Sequence, residues 1–255
     1  MHAPEAPGAG PTLSALADAL APALDAARHA REGDPAGVWI ASERPVRRLG
    51  LRLDAGRPPY AWAEGLDAVV VHRPFGLWPA RLPERLGVLA YHRSLDESLA
   101  IGSTALADAL GLTLDAEPLR RDEREVGRVG TLPDPAPLAA VLDRLDGEFR
   151  GHEEALGTDE DRPVARVALM NAMTDALVRD AARRGAGLYL TGQVRGPGRA
   201  AVAATGLAVL AVGQDRAEAW GLREIGRRLR ARWPALEVVD QTGVERPDAD
   251  EDSAA

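Results

Sequence analysis

One stretch decides the fold: Leu66-Asp67-Ala68-Val69-Val70-Val71-His72-Arg73-Pro74. The run from Leu66 to Val71 is almost entirely apolar, which is typical of a strand in a parallel sheet that is covered on both faces. His72 follows this strand directly. Because ligands of α/β sheets bind beyond the carboxyl ends of the strands, His72 is the first candidate site residue.

Strands and helices alternate on both sides of this stretch, which predicts an α/β fold. In the first half, strands are predicted over 46–53, 66–71 and 86–91, and helices over 13–24, where Pro22 can introduce a kink, and over 100–110. In the second half, strands are predicted over 164–169, 188–191 and 208–212, and helices over 138–149, 175–184, 199–205 and 217–233.

The alternation predicts two α/β domains in succession, over 13–120 and 121–244. The ends at 1–12 and 245–255 are predicted to be disordered, the second because it is short and acidic. The charge-dense stretch 115–128 is interpreted as a boundary or an exposed strand pair, and 151–162 as a polar loop.

The composition excludes several kinds of chemistry. The chain has no cysteine, and all 31 basic residues are arginine. Disulfides, thiolate metal sites and a cysteine nucleophile are therefore excluded, as are a Schiff-base lysine and a Walker A motif. The net charge of −8 argues against nucleic-acid binding. Since no apolar run is long enough to span a membrane and no signal peptide is recognisable, we expect a cytoplasmic protein.

Chemically useful side chains follow two further strands. His92 and Asp96 come after the strand that ends at Tyr91, and Gln214 and Glu218 come after the last strand. Histidine and carboxylate from separate strand ends are what a nitrogen- and oxygen-ligated metal site requires. Two alternatives stay open: a histidine after a strand is more often a capping or packing residue, and a capping box of Asp215 with Glu218 would explain Glu218 without a metal.

The order of these pieces resembles the NIF-three-like family (NGG-one-interacting factor three, often labelled GTP cyclohydrolase I type two), whose members are dinuclear metal-centre proteins. The resemblance runs from about Gly33 to Asp240. It rests on the segments 70–74, 91–96, 127–130, 188–192 and 213–218. It implies two similar α/β domains with an interdomain cleft, a metal site in that cleft and a ring-shaped homohexamer.

Carried over residue by residue, the resemblance implies His72, Asp96 and Glu218 as metal ligands. Arg73 and Gln214 stand where the family has its other histidine ligands. A guanidinium repels a dication and an amide is a poor substitute for imidazole, so we expect at most one divalent ion (Fe, Mn or Zn), or none. In the metal-free protein, Arg73 is expected to pair with Asp96 or Glu218.

Two functions from different classes follow. The first is a metal-dependent hydrolase of unknown substrate, in which His92 is the candidate acid/base and Arg73 binds an anionic group of a small molecule. The second is a catalytically inactive family member that acts as a binding or assembly protein. Both include self-association, and neither includes a membrane or nucleic-acid partner.

Overall fold

The computed structural model describes residues 10–157 and 159–245. The predicted disordered ends therefore lie mostly outside the described residues. Of the first end, Pro11 accepts a hydrogen bond from the Val46 amide at 2.8 Å, and Thr12 caps the first helix by accepting from the Ala15 amide at 3.1 Å. Among the described residues, no helix has both the length and the apolar character needed to cross a bilayer.

The described residues form two compact units. The first unit contains the chain up to Ser98 together with Gly221–Gly243, and the second contains Leu99–Trp220 and the chain from Val244 onward. This division differs from the single boundary expected between 120 and 121. The physical reason is the last strand, which pairs in parallel with the second strand of the chain and so returns to the first unit.

The first unit is built on a largely parallel sheet. Its strands are β1 (Ala36–Ile40), β2 (Arg48–Asp54), β3 (Ala68–Arg73), β4 (Gly87–Tyr91) and β12 (Glu237–Asp240), and its helices are α1 (Leu13–Leu20), α2 (Ala26–Arg31) and α3 (Arg93–Ser98). The strand order is β1-β4-β3-β2-β12, in which only the β1–β4 pairing is antiparallel. As predicted, the valines of β3 are fully buried. The helix predicted over 13–24 ends at Leu20, just before Pro22.

The second unit is built on a second sheet with a parallel centre. Its strands are β5 (Thr113–Leu114), β6 (Leu119–Arg121), β7 (Arg124–Pro137), β8 (Glu154–Leu156), β9 (Pro163–Met170), β10 (Leu188–Thr191) and β11 (Ala208–Ala211). Its helices are α4 (Thr104–Ala109), α5 (Leu138–Phe149), α6 (Asp175–Arg183), α7 (Gly196–Thr205) and the start of α8 (Gln214–Arg232), whose later turns belong to the first unit. The charge-dense stretch is the β6–β7 hairpin, and the predicted polar loop contains β8.

The two units repeat one pattern. The order β1-β4-β3-β2 of the first sheet corresponds to β8-β11-β10-β9 of the second. In both, three consecutive parallel strands are flanked by an antiparallel strand that precedes them in the chain. The prediction of two similar α/β domains is thereby confirmed.

Candidate metal centre

The carboxyl ends of β2, β3 and β4 bring the candidate residues of the first unit to one edge of its sheet. Arg73, the last residue of β3, is in register with Asp54 at the end of β2. His72 immediately precedes Arg73, and His92 follows the last residue of β4. Since the three strands are parallel, residues at their carboxyl ends converge without any further device.

His72 has its ring orientation and its tautomer set by the backbone. The side chain is 1% exposed, and its Nδ1 lies 2.9 Å from the carbonyl oxygen of Tyr91. A carbonyl oxygen only accepts hydrogen bonds, so the proton is assigned to Nδ1 and the lone pair to Nε2. Nε2 lies 3.6 Å from the Asp96 Oδ1 atom. His72 therefore presents a nitrogen that can bind a metal towards a carboxylate.

His92 is held in the same way by a carboxylate. Its Nδ1 lies 2.9 Å from the Asp34 Oδ1 atom, which again places the proton on Nδ1. The ring centroid is 5.3 Å from that of His72, and Phe75 packs edge-on against it at 5.1 Å. Both histidines thus keep the Nε2 atom for chemistry.

His72, His92 and Asp96 form a compact set of potential ligands. One ligand atom from each lies within 4.8 Å of the others. Ligands that each bind a zinc ion at about 2.1 Å are at most about twice that distance apart, so the set is close to the size of one coordination shell. Two imidazole nitrogens and a carboxylate oxygen suit zinc, iron or manganese. The residues present therefore fit a divalent metal ion.

Arg73 has a partner that the sequence analysis did not single out. Its Nε and Nη2 atoms lie 3.0 and 3.1 Å from the two carboxylate oxygens of Asp54, a two-pronged ion pair across neighbouring strands. The Asp54 side chain is 58% exposed, so this pair contributes little stability by itself. The expected pairing of Arg73 with Asp96 or Glu218 stays a prediction.

Gln214 and Glu218 form a pair of their own in the second unit. Helix α8 begins at Gln214, whose Nε2 donates to the Glu218 Oε1 atom at 2.9 Å. Glu218 is 3% exposed. Because Asp215 lies inside the helix and not at its cap, the capping-box explanation of Glu218 does not hold. The assignment of Glu218 as a metal ligand stays a prediction.

Comparison with known proteins places this arrangement in a family. The model of the family Duf34/NIF3 (NGG1p interacting factor 3) matches residues 12–245. The chain belongs to this family. The resemblance inferred from the strand-end segments is thus confirmed, and the site described above lies within the matched residues.

Individual proteins of known sequence or structure are also similar to this NIF3-family chain. A "GTP cyclohydrolase 1 type 2 homolog" of Allochromatium vinosum is 27% identical over 229 residues, which cover 82% of this chain and 88% of the relative. The solved structure of protein ybgI, described as of unknown function, superposes with a TM-score of 0.67 at 20% identity, over 93% of this chain and all of that one. A structure from Thermus thermophilus gives a TM-score of 0.64 at 22% identity, over 92% and 98% of the two chains. At such identities the structures establish the fold alone.

Among the residues of this NIF3-family site, sequence reasoning missed Asp34. Its Oδ1 accepts from His92, and its Oδ2 accepts from the Arg93 amide at 2.8 Å. Asp34 lies 58 residues before His92, in a Gly-Asp-Pro turn that carries no signal of its own. The only signal would have been the pairing of β1 with β4, which brings Pro35 to His92 through a 3.0 Å backbone hydrogen bond.

Proposed function

We propose that this NIF3-family chain binds one divalent metal ion, with His72 and Asp96 as ligands at the carboxyl edge of the first unit's sheet. One observation supports the proposal above all: the potential ligand atoms of His72, His92 and Asp96 lie within 4.8 Å of one another. In addition, both imidazoles have the Nδ1 proton held by an acceptor, as metal-binding histidines usually do.

We propose further that the bound ion serves a hydrolase. A divalent ion at such a site supplies Lewis acidity, which polarises a substrate bond and lowers the pKa of water. His72 contributes a buried nitrogen in a fixed orientation, and Asp96 contributes negative charge beside it. Arg73, steadied by Asp54, offers a guanidinium at the same edge of the sheet for an anionic substrate group.

His92 is assigned the acid/base role in this proposal. It is more exposed than His72, at 28% of the side chain against 1%, so a substrate proton can reach its Nε2. Its position within the cluster also makes it a candidate third ligand. The metal affinity of a His92→Ala variant distinguishes the two roles. The variant keeps its metal affinity if His92 is the acid/base, and loses it if His92 is a ligand.

The experiment that tests metal binding uses two neighbouring carboxylates of α3. Protein purified without a metal-affinity tag is titrated with Zn²⁺ and Mn²⁺ by calorimetry, and its metal content is measured. Asp96→Asn is expected to weaken binding at least 10-fold, whereas Glu97→Gln, on the same helix, is expected to bind like the parent. If Asp96→Asn binds as the parent does, the metal proposal is wrong.

The proposed hydrolase activity is tested with the protein after it has been loaded with metal. Metal-dependent cleavage of a panel of p-nitrophenyl esters and phosphates should be lost in Asp96→Asn. A parent that binds metal but cleaves none of the panel would favour the second candidate, an inactive binding or assembly protein. The observation that favours this alternative is Gln214, whose amide engages Glu218 where the resemblance implies an imidazole.

We also propose that the chain works in the cytoplasm as a homo-oligomer, with the homohexamer as the expected form. Closed symmetric assemblies are the usual form of homo-oligomers. Light scattering at micromolar concentration is expected to give a multiple of the 27.0 kDa chain mass. The monomer mass would contradict this part of the proposal and leave the metal site untouched.

A further inference from the structure

Asp34 makes two hydrogen bonds with one nearly buried carboxylate. Its side chain is 9% exposed; Oδ1 lies 2.9 Å from the His92 Nδ1 atom, and Oδ2 lies 2.8 Å from the Arg93 amide nitrogen. We propose that Asp34 is a positioning residue, which fixes the tautomer of His92 and anchors the start of α3 so that Asp96 faces the histidines. Neither effect needs a metal ion to be bound.

The first effect follows from donor and acceptor rules. A neutral imidazole can carry its proton on either nitrogen. An ionised carboxylate only accepts, so Asp34 selects the form with the proton on Nδ1 and leaves the lone pair on Nε2. Because Nδ1 is bonded to Asp34, Nε2 is the nitrogen of His92 that is left for a metal or for acid/base chemistry. Asp34 therefore supports His92 in either of its two candidate roles.

The second effect concerns the backbone of α3. The first amides of a helix have no partner within the helix, and Asp34 satisfies that of Arg93 with its second oxygen. Asp96 lies three residues further along this six-residue helix. A short helix has little stability of its own, so its orientation depends on such contacts. One carboxylate thus sets the position of a histidine and of the carboxylate that faces His72.

Neighbouring contacts repeat the link in a weaker form. Arg28 bonds Glu97 at 2.8 Å, and Arg93 bonds Glu32 at 2.9 Å, so the segment before β1 is tied to α3 at further points. All four side chains in these pairs are 33% to 38% exposed, and exposed ion pairs contribute little. The hydrogen bonds of Asp34 are shielded from water, so removing their acceptor costs more. The positioning effect is therefore expected to depend on Asp34.

The test is an Asp34→Asn variant of the full chain. An amide has one accepting and one donating end, so asparagine cannot accept both from His92 and from the Arg93 amide. If its oxygen keeps the Arg93 amide, its nitrogen donates to the His92 ring, and the proton moves to Nε2. If its oxygen keeps His92, its nitrogen opposes the Arg93 amide, and the start of α3 loosens.

Both alternatives can be measured in metal-free buffer. Long-range ¹H–¹⁵N correlation spectra at about pH 8.5, above the ordinary histidine pKa, report the tautomer of each of the five histidines. Amide hydrogen exchange reports the start of α3. We expect His92 in the Nδ1–H form in the parent, and Asp34→Asn to change either that form or the protection of the Arg93 amide. The His72 signal should not change, because its partner is a backbone carbonyl.

Asp146→Asn is the matched control, since it removes a similar carboxylate from a histidine in the second unit. His152 Nδ1 lies 2.7 Å from the Asp146 Oδ1 atom, and both side chains are 34% exposed. This variant should leave the His92 signal and the Arg93 amide as in the parent. The proposal is overturned if Asp34→Asn changes neither readout. It is also overturned, without any variant, if parental His92 carries its proton on Nε2.

The consequence for metal rests on the proposed function and is measured separately. Loss of a residue that orients a ligand typically weakens metal binding 10- to 100-fold, so Asp34→Asn should lower Zn²⁺ affinity by about that factor and Asp146→Asn should not. If the parent binds no Zn²⁺ but the tautomer responds as expected, the proposed function fails and Asp34 keeps its positioning role. If Zn²⁺ binds and neither the tautomer nor the amide responds, only the positioning role fails.

Discussion

Each unit carries a pair of polar residues after the third parallel strand of the shared pattern, but the residue types of the two pairs differ. In the first unit, His92 directly precedes α3 and Asp96 lies within α3, the helix that follows the third parallel strand, β4. In the second, Gln214 and Glu218 begin the helix that follows the corresponding strand, β11. Both pairs are spaced by four residues, so each can lie on one helical face.

The chemistry of the two pairs diverges at the first member. His92 directs its Nδ1 proton to Asp34, which leaves Nε2 available, and a ring nitrogen of His92 lies within 4.8 Å of ligand atoms of His72 and Asp96. Gln214 instead donates its amide to Glu218, so the carboxylate of that pair is engaged internally. An amide offers a metal only a neutral oxygen, in place of the imidazole nitrogen that zinc and iron prefer. The strand pattern supplies the position, and the side chain decides whether a ligand set forms there.

The largest expected effect comes from giving the second pair an imidazole. Gln214→His combined with Arg73→His should raise the metal content from at most one ion to two ions per chain, because both replaced positions regain a ligand type that the family resemblance implies. Elemental analysis of protein purified without a metal-affinity tag measures the content. Gln214→Asn is the control and should bind like the parent. Two ions per chain in the parent would contradict the contrast between the pairs.

The stabilisation of the folded state by added metal should require His72, the histidine of β3. A ligand that binds only the folded state at 100 times its Kd stabilises that state by about 2.7 kcal/mol. Adding Zn²⁺ should therefore raise the Tm of the parent and of His152→Ala, whose exposed histidine lies outside the cluster. It should not raise the Tm of His72→Ala. An equal rise in all three proteins would show that the stabilising ion binds elsewhere.

Arg73 provides a smaller effect that distinguishes two partners. The pair with Asp54 is exposed, so Arg73→Ala in chelator should cost about 1 kcal/mol or less, and Asp54→Ala should cost the same. A double-mutant cycle measured by urea unfolding gives the coupling between them. A loss of about 3 kcal/mol or more would instead indicate that the guanidinium compensates buried carboxylates, as expected from the sequence.

What could be predicted from the sequence was the part encoded locally. The apolar run of β3 identified His72 at a strand end, and the spacing after Tyr91 placed His92 and Asp96 together. Asp34 and Asp54 escaped prediction because each reaches the site through strand pairing, across 58 and 19 residues of sequence. Local patterns carry no information on such pairing.

The division of the chain into its two units could not be predicted for the same reason. Strand β12 pairs with β2 at the far end of the chain, and nothing in its own residues indicates that partner. The strand β8 was missed because it is only three residues long and lies within a polar stretch. The sequence therefore predicted two domains in simple succession, because the pairing that returns β12 to the first unit has no local signal.

The smallest expected effect concerns the pH dependence of the first unit. Burial raises the pKa of Glu97, but the hydrogen bond and charge of Arg28, with the charges of His29 and Arg93, outweigh it and hold the pKa below the ordinary value of 4.5. A carboxyl whose pKa is lower in the folded state stabilises that state above its unfolded pKa. The contribution is lost as the pH falls through the folded pKa.

Glu97→Gln should therefore lower the free energy of unfolding at neutral pH by less than about 1 kcal/mol, because the pair is exposed, and should match the parent below the folded pKa. Glu84→Gln, at a side chain that is 92% exposed, should track the parent at every pH. Urea unfolding between pH 3 and pH 7 measures all three proteins. A Glu97→Gln deficit that grew as the pH fell would reverse the sign of this linkage.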